Sequence, residues 1–517
     1  MRVVAFAGLV ALLGLTGCPS VGVVCRAGTV PCGSGCVDPN ADQRNCGGCG
    51  LACANNETCN AGSCQCQAGT TSCNGTCVVL DYDARNCGSC GNVCTGGVCE
   101  ASSCREACTL GVSVACGGAC VNPNTDARHC GGCNQPCAQG QSCRAGACTF
   151  DVVAACYGTG QVVGFNAQTL TRGALTSVGT TPGALAVTGD TVLVADGSDQ
   201  RLYQLKVTRA GLTLANLANP LGATPNQILV DGQVLYVANA SSGTLQVLHP
   251  VASGGDSVAL DAGTAEALRL TTATELQLGM NSFPEAAVKV GANLWVALFG
   301  GGANVNQAVV KVSVANALVP AEVSRFDLGA LDLHSFDGGQ AIPRAFAITS
   351  HQGAVYAVLS NLGPDWKAAG PGMLARIDPD AGALSSVNLG SDCLDPVWAA
   401  PVGTKLAVSC FGHLSDDFRS TDHAGLALLD ENDAVIGRWS AACPAMTDGG
   451  TCPAMEPGRF TVRGNRVFLA DQNAGRVVVL DATDAGLVEV RGVADALVTC
   501  PLSGTGFGNV SDLVSLP

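Results

Sequence analysis

The sequence predicts an all-β protein: a seven-bladed β-propeller over residues 151–517, preceded by three small disulfide-rich repeats. Three observations carry that expectation. Cysteines crowd into one end, 25 of the 31 lying in residues 18–148. Within that segment one eight-cysteine spacing returns three times. Beyond residue 150, short β-branched runs alternate with Gly, Asn and Asp turns, and no long stretch has helical periodicity. A chain of 517 residues, 13% charged and 4% aromatic, is long enough for two or three domains. Its net charge of −15 argues against a phosphate backbone as partner, which needs clustered bases, so no nucleic acid is expected.

The first element is an export signal over residues 1–17. Met1-Arg2 gives a positive start, Val3 to Leu13 is apolar except for Gly8, and Leu15-Thr16-Gly17-Cys18 comes next. The run is too short for a finished membrane span. Its last four residues resemble the lipobox of bacterial lipoproteins, which implies cleavage before Cys18 and acylation of that cysteine. More than one acyl chain is what stable anchoring requires. Residues 18–24 then form a lipidated tether. Removing Cys18 from 31 leaves 30 cysteines, an even number. Pro19 in place of aspartate implies the outer membrane by the same resemblance, facing either the periplasm or the cell surface.

The repeats span 25–64, 66–104 and 108–148, with cysteines spaced C-x6/7-C-x3-C-x9-C-x2-C-x3-C-x4/5-C-x4-C and offsets of 41 and 42 residues. About 40 residues bury too little apolar surface to order themselves, so covalent staples are needed, and outside the cytosol these are disulfides. Eight cysteines allow 105 pairings, and the sequence does not choose among them. Redox or zinc readings of Cys46-Gly-Gly-Cys49, Cys87-Gly-Ser-Cys90 and Cys130-Gly-Gly-Cys133 fit poorly, since no helix is patterned there and export disfavours thiolates. Alternating oxygens at Asp38, Asn40 and Asp42 suggest calcium, but Val79 replaces the first oxygen in the second copy. Asx-turns closed by an Asp–Arg pair are the simpler reading. The run C-V-D/N-P-N-x-D-x-R-N/H-C-G-G-C resembles the stigma-specific-protein type of cysteine-rich repeat. That resemblance implies an extracellular interaction module and carries over no catalytic residue.

The propeller is read from a recurring phrase. Pro-x-x-apolar precedes a Gly turn, then an apolar strand ending in Ala-Asp or Ala-Asn, as in Pro182 with Val192–Asp196 and Pro225 with Leu235–Asn239. Further copies start at Pro284, Pro343, Pro396 and Pro457. The seventh blade is split: Val510–Val514 supplies its first strand, and Val152–Cys156 and Gln161–Phe165 the next two. This closure leaves no open sheet edge. The run Leu235-Tyr-Val-Ala-Asn239-Ala-Ser-Ser-Gly-Thr-Leu-Gln-Val-Leu resembles YVTN/NHL-like propellers, families that include both enzymes and binding platforms. The six outlying cysteines predict Cys393–Cys410, Cys443–Cys452 and Cys156–Cys500 as structural staples.

Loop length points to a functional face. Loops between the second and third strands are short except in three consecutive blades, beginning Phe299, Asn361 and Phe411. They predict a binding wall that carries Asn304, Asn306, Asp365, Trp366, Lys367, His413, Asp416, Asp417, Arg419, Asp422 and His423. Trp366 in a Gly/Pro-rich loop suits a binding anchor. The His and Asp residues of the third loop suit zinc or manganese chemically, but a solvated loop is the simpler reading, so no metal and no cofactor are expected. Propeller lactone hydrolases hold a metal by acids and amides of inner strands. Here Leu185, Ile228, Phe346 and Phe460 fill the phrase positions, and no hydrolase or phosphate-binding motif occurs. A non-enzymatic, membrane-anchored scaffold that captures a protein or glycan is therefore expected, with a metal-dependent lactonase-like hydrolase as the alternative. The propeller carries 33 acids and 19 bases, a charge of −14, which favours cationic or neutral partners.

Overall fold

The computed structural model describes residues 30–32, 35–40, 42, 44–54, 57–67, 69–109, 111–260, 265–301, 307–336, 341–414, 420–441, 455–472, 474–491, 497–500 and 510–517. Cys18, Cys443, Cys452, Asn304, Asn306, Asp416, Asp417 and Arg419 lie outside them. The described chain is all-β. Its helical content is two single 3-10 turns, Tyr157–Thr159 and Leu328–Ala330, and no described helix is long and apolar enough to cross a membrane.

Two compact units divide between Val121 and Asn122. The first is small β-hairpins held by disulfides, two of which join into a four-stranded sheet where Ala119 pairs with Cys99. The second repeat shows the full pairing: Cys66–Cys77, Cys73–Cys90, Cys87–Cys99 and Cys94–Cys104, which joins cysteines 1–3, 2–5, 4–7 and 6–8 of the unit. The same scheme recurs in Cys32–Cys49, Cys46–Cys59 and Cys53–Cys64. It recurs again in Cys108–Cys120, Cys130–Cys143 and Cys137–Cys148. The Asp-rich stretch between cysteines forms Asx-turns, with Arg44, Arg85 and Arg128 backbone N–H groups donating to Asp42, Asp83 and Asp126, each at 2.8 Å. In the third copy the Asp126 carboxylate also faces Arg128 Nε at 3.7 Å.

The second unit includes residues 122–148 of the third repeat, which are fastened to the sheets beyond them. Arg209 donates to the carbonyls of Gln135 (2.6 Å) and Cys130 (2.8 Å), and Gln141 Nε2 donates to that of Thr208 (2.7 Å). Arg144 meets the buried carboxylate of Asp151, which also faces Arg463 at 3.6 Å.

From residue 152 on, the chain forms small antiparallel sheets in a repeating order. Sheets 1 to 6 start with the strands Pro182–Thr188, Pro225–Asp231, Pro284–Val290, Ile342–His351, Pro396–Val402 and Pro457–Arg463, each hydrogen-bonded to the next strand in sequence. A further sheet has the order Val510–Ser515, Val152–Cys156, Gln161–Phe165, Arg172–Ser177. Second strands such as Thr191–Asp196 and Ala354–Leu362 are buried throughout, whereas outer strands such as Ala321–Asp327 alternate between half-buried and exposed. Apolar clusters sit between successive sheets. Leu193 and Leu202 of sheet 1 meet Val237 and Leu248 of sheet 2, and Phe468 of sheet 6 meets Val163 and Phe165 of that further sheet. First strands lie side by side, and Val510–Ser515 touches both Pro182–Thr188 and Pro457–Arg463.

The Asp or Asn that ends each recurring Ala-Asp/Ala-Asn phrase has a structural task. Asp196 is fully buried and accepts from the backbone of Thr180 (2.7 Å), Thr181 (2.6 Å) and Asp199 (2.8 Å), tying its own turn to the loop that enters the sheet. Asp471 does the same work, accepting from the backbone N–H groups of Glu456 and Ala474, each at 3.3 Å, and it also pairs with Arg476 at 2.6 Å. Among the outlying cysteines, Cys156 is bonded to Cys500 and Cys393 to Cys410.

Candidate functional site

The first strands share an irregularity that places the site. In sheets 1, 2, 3 and 5 the register slips directly after the initial proline, between Pro182 and Ala184, Pro225 and Gln227, Pro284 and Ala286, and Pro396 and Trp398. Sheet 4 slips between Ala345 and Ala347, and sheet 6 between Pro457 and Phe460. A β-bulge leaves one residue unpaired and re-aims it. The skipped residues include Asn226, Glu285, Phe346, Val397 and Arg459, and all five line one cavity of about 480 Å³. The remaining wall comes from the loops: Phe299, Leu362, Trp366, Asp395, Phe411 and Gln472. That volume lies in the range of small-ligand sites.

One end of the cavity is polar. Asn226 Nδ2 donates to Glu285 Oε2. Arg459 donates to the carbonyl of Asn226 (2.7 Å), faces Asp512 (3.4 Å), and packs its guanidinium over the Trp398 ring at 4.7 Å. Glu285 keeps some surface open to the cavity yet is enclosed by protein. Desolvation pushes its carboxyl up to about 7, with Arg459 and the Asn226 amide pulling the other way. Burial raises Asp512 as well, against Arg459 and the N–H of Leu185 at 2.8 Å.

The other end is aromatic. Phe299 meets Phe346 edge-on at 4.8 Å and lies nearly parallel to Trp366 at 6.1 Å. Arg344, 3% exposed, places its guanidinium 4.8 Å from the Phe299 ring and 4.1 Å from that of Trp366, and donates to the Gly300 carbonyl at 3.0 Å. Desolvation holds its pKa down. Asp395 borders this region at 6% exposure. Burial pushes its carboxyl up to about 6, Ser360 acts in the opposite sense, and Oδ1 has no hydrogen-bond partner.

Of the wall residues expected from sequence, Trp366 lines the cavity and is about half exposed, with φ +66° in the left-handed region. Asp365 instead closes the turn, accepting from the Lys367 backbone at 3.2 Å. His423 stands 3.8 Å from Asp392 and is not a cavity residue. His413 and Asp422 are paired in a short ladder at the base of their loop. Sequence reasoning missed Asn226, Glu285, Asp395, Arg459 and Gln472. It rested on the third residue after each proline, where Leu185, Ile228 and Phe460 stand, whereas the bulge turns an earlier residue toward the cavity in sheets 2, 3, 5 and 6. The identity of the residues directly after Pro225 and Pro284 was the available signal.

Asn226 spends its amide on Glu285, and Arg459 brings a positive charge to the same carboxylate. Among the described residues, the clusters dense enough in ligand atoms for a metal all contain cysteines of the repeats, and the propeller contributes none.

Residues 98–151 match the model of the stigma-specific STIG1-like protein family, a span that covers the third cysteine repeat. A search of curated proteins finds no match. Among solved structures, a protein assigned as a 6-phosphogluconolactonase from Bacteroides fragilis is 12% identical, with 71% of this chain and 97% of that one covered at a TM-score of 0.45. A Lactobacillus plantarum protein is 16% identical, with 71% and 99% covered at 0.45. Apo AztD from Citrobacter koseri is 14% identical, with 70% and 97% covered at 0.42. These neighbours are propeller-like.

Proposed function

We propose that this chain is an exported, lipid-anchored display protein, whose cysteine-rich repeats form a stalk or adhesion module and whose propeller captures a protein or glycan on its loop face. In this reading the sheets are seven blades closed into a ring by Val510–Ser515, Cys18 carries the lipid, and the outer membrane is the anchor. The observation that carries the binding role is the cavity of about 480 Å³ on the loop face, with its aromatic wall and bulge-presented polar groups. The disulfides of the repeats support folding outside a reducing compartment.

Two measurements test it. Mass spectrometry of protein from the native envelope should find residues 1–17 absent and Cys18 acylated, and protease treatment of intact cells then separates a surface from a periplasmic location. Replacing loops 361–372 and 412–424 by tight turns should abolish partner capture with the melting temperature retained. An uncleaved leader overturns the anchor, and unchanged capture overturns the binding face.

A further inference from the structure

One oxygen of a carboxylate in the cavity wall has no partner in the protein. Asp395 is 6% exposed, its Oδ1 lacks a hydrogen-bond partner, and it lines the same space as Phe299, Phe346, Trp366 and Phe411. A buried carboxyl oxygen without a partner is costly, so its retention points to a group supplied from outside. The neighbouring hydroxyl of Ser360 donates to the Pro396 carbonyl at 3.0 Å. The two arginines beside the cavity have other engagements. Arg344 is held by its Nη1 on Gly300 and over two rings, its Nε buried without a partner, and Arg459 is held on Asn226 and Asp512.

We propose that this cavity binds a ligand bearing an alkylammonium group, with Asp395 as its counter-charge and the faces of Phe346 and Phe411 as its aromatic surround. The inference rests on reading the loop face as the binding face and names the chemistry of what binds there. Three physical arguments select a cation. A charged N–H donor to a carboxylate is about twice as strong as a neutral one. Aromatic faces attract cations but not hydroxyls to the same degree. The propeller's net charge of −14 draws cations toward it from a distance. A ligand with hydroxyls alone satisfies Oδ1 but leaves the ionised carboxylate without a counter-charge. Glu285, at the other end of the cavity, provides a second acidic contact for a longer diamine or for the rest of an amino sugar.

The ammonium can come from two sources, a lysine side chain of a protein partner or a free amine such as an amino sugar, and calorimetry on the oxidised full chain distinguishes them. The probes are N-acetyl-lysine methylamide against its uncharged analogue N-acetyl-norleucine methylamide, and glucosamine against glucose. At least one ammonium probe should bind about tenfold or more tightly than its neutral counterpart, and the tighter of the two identifies the source. Asp395→Asn should remove that preference. Asparagine tolerates the left-handed backbone at this position (φ +46°), so the variant should melt no lower than the parent. Phe411→Leu keeps apolar volume but removes a ring face, and should lower the preference about threefold. Equal binding of charged and neutral probes, absence of binding by both amines, or a preference that survives Asp395→Asn overturns the proposal. Capture by whole cells that persists in Asp395→Asn leaves the display reading standing while the ammonium site falls.

Discussion

Glu285 and Asp395 make the cavity sensitive to proton concentration. Burial raises both carboxyls, to about 7 and about 6, whereas in an unfolded chain such groups titrate near ~4. Between those limits the folded state binds more protons than the unfolded state, so stability falls as pH rises. The stabilising difference is fully present below about pH 4 and is lost by about pH 8, by roughly 3 kcal/mol per carboxyl. Glu285→Gln and Asp395→Asn cannot ionise, and each should flatten its share of the decline between about pH 5 and pH 8. Urea midpoints at the two pH values read this directly, and a parent protein equally stable at both contradicts it. A second single-residue test concerns packing. The ring of buried Phe150 lies where a Cβ at Gly164 or Gly173 would stand. Gly164→Ala therefore forces the ring or the strand aside, and should cost about 1–3 kcal/mol in denaturant unfolding.

The third cysteine repeat illustrates how an element is held. Its disulfides order it internally, and beside the Gln141 and Arg144 contacts it is fastened to the propeller by Arg209, an exposed residue at the turn between two strands of sheet 1 that reaches two backbone carbonyls. Arg209→Ala should leave the propeller's melting transition in place and raise amide exchange across residues 122–148. Protection unchanged from the parent refutes this role. The repeats were legible in the sequence because cysteine spacing is discrete: a grid of eight repeated at 41 and 42 residues admits little else. Their pairing was not legible, since which sulfurs meet depends on turns such as those at Asp42, Asp83 and Asp126. The strands were legible wherever Ala-Asp or Ala-Asn closes an apolar run, and at Asp196 and Asp471 the carboxylate ties the turn to the entering loop. The cavity was not. A bulge breaks the alternation of sides on which strand reading depends, so Asn226 and Glu285 read as ordinary polar positions near a turn.

Across the whole molecule, one covalent link spans most of the propeller: Cys156 and Cys500 are 344 residues apart and join the second strand of the shared sheet to the segment beyond sheet 6. Closing so long a loop restricts the unfolded chain strongly, and Cys156→Ser with Cys500→Ser should destabilise by about 3–5 kcal/mol. The shorter Cys393–Cys410 link, 17 residues apart, should contribute about 3 kcal/mol. Thermal melts of the two double variants check the order, and a larger loss at Cys393–Cys410 reverses it. The strand at Val510–Ser515 pairs with Val152–Cys156 and touches the first strands on either side. The two strands of this pair are made far apart in time, so the earlier one leaves the ribosome with a bare edge. A nonsense codon between them should leave that edge open as a template for aggregation, and truncation is expected to surface as insolubility.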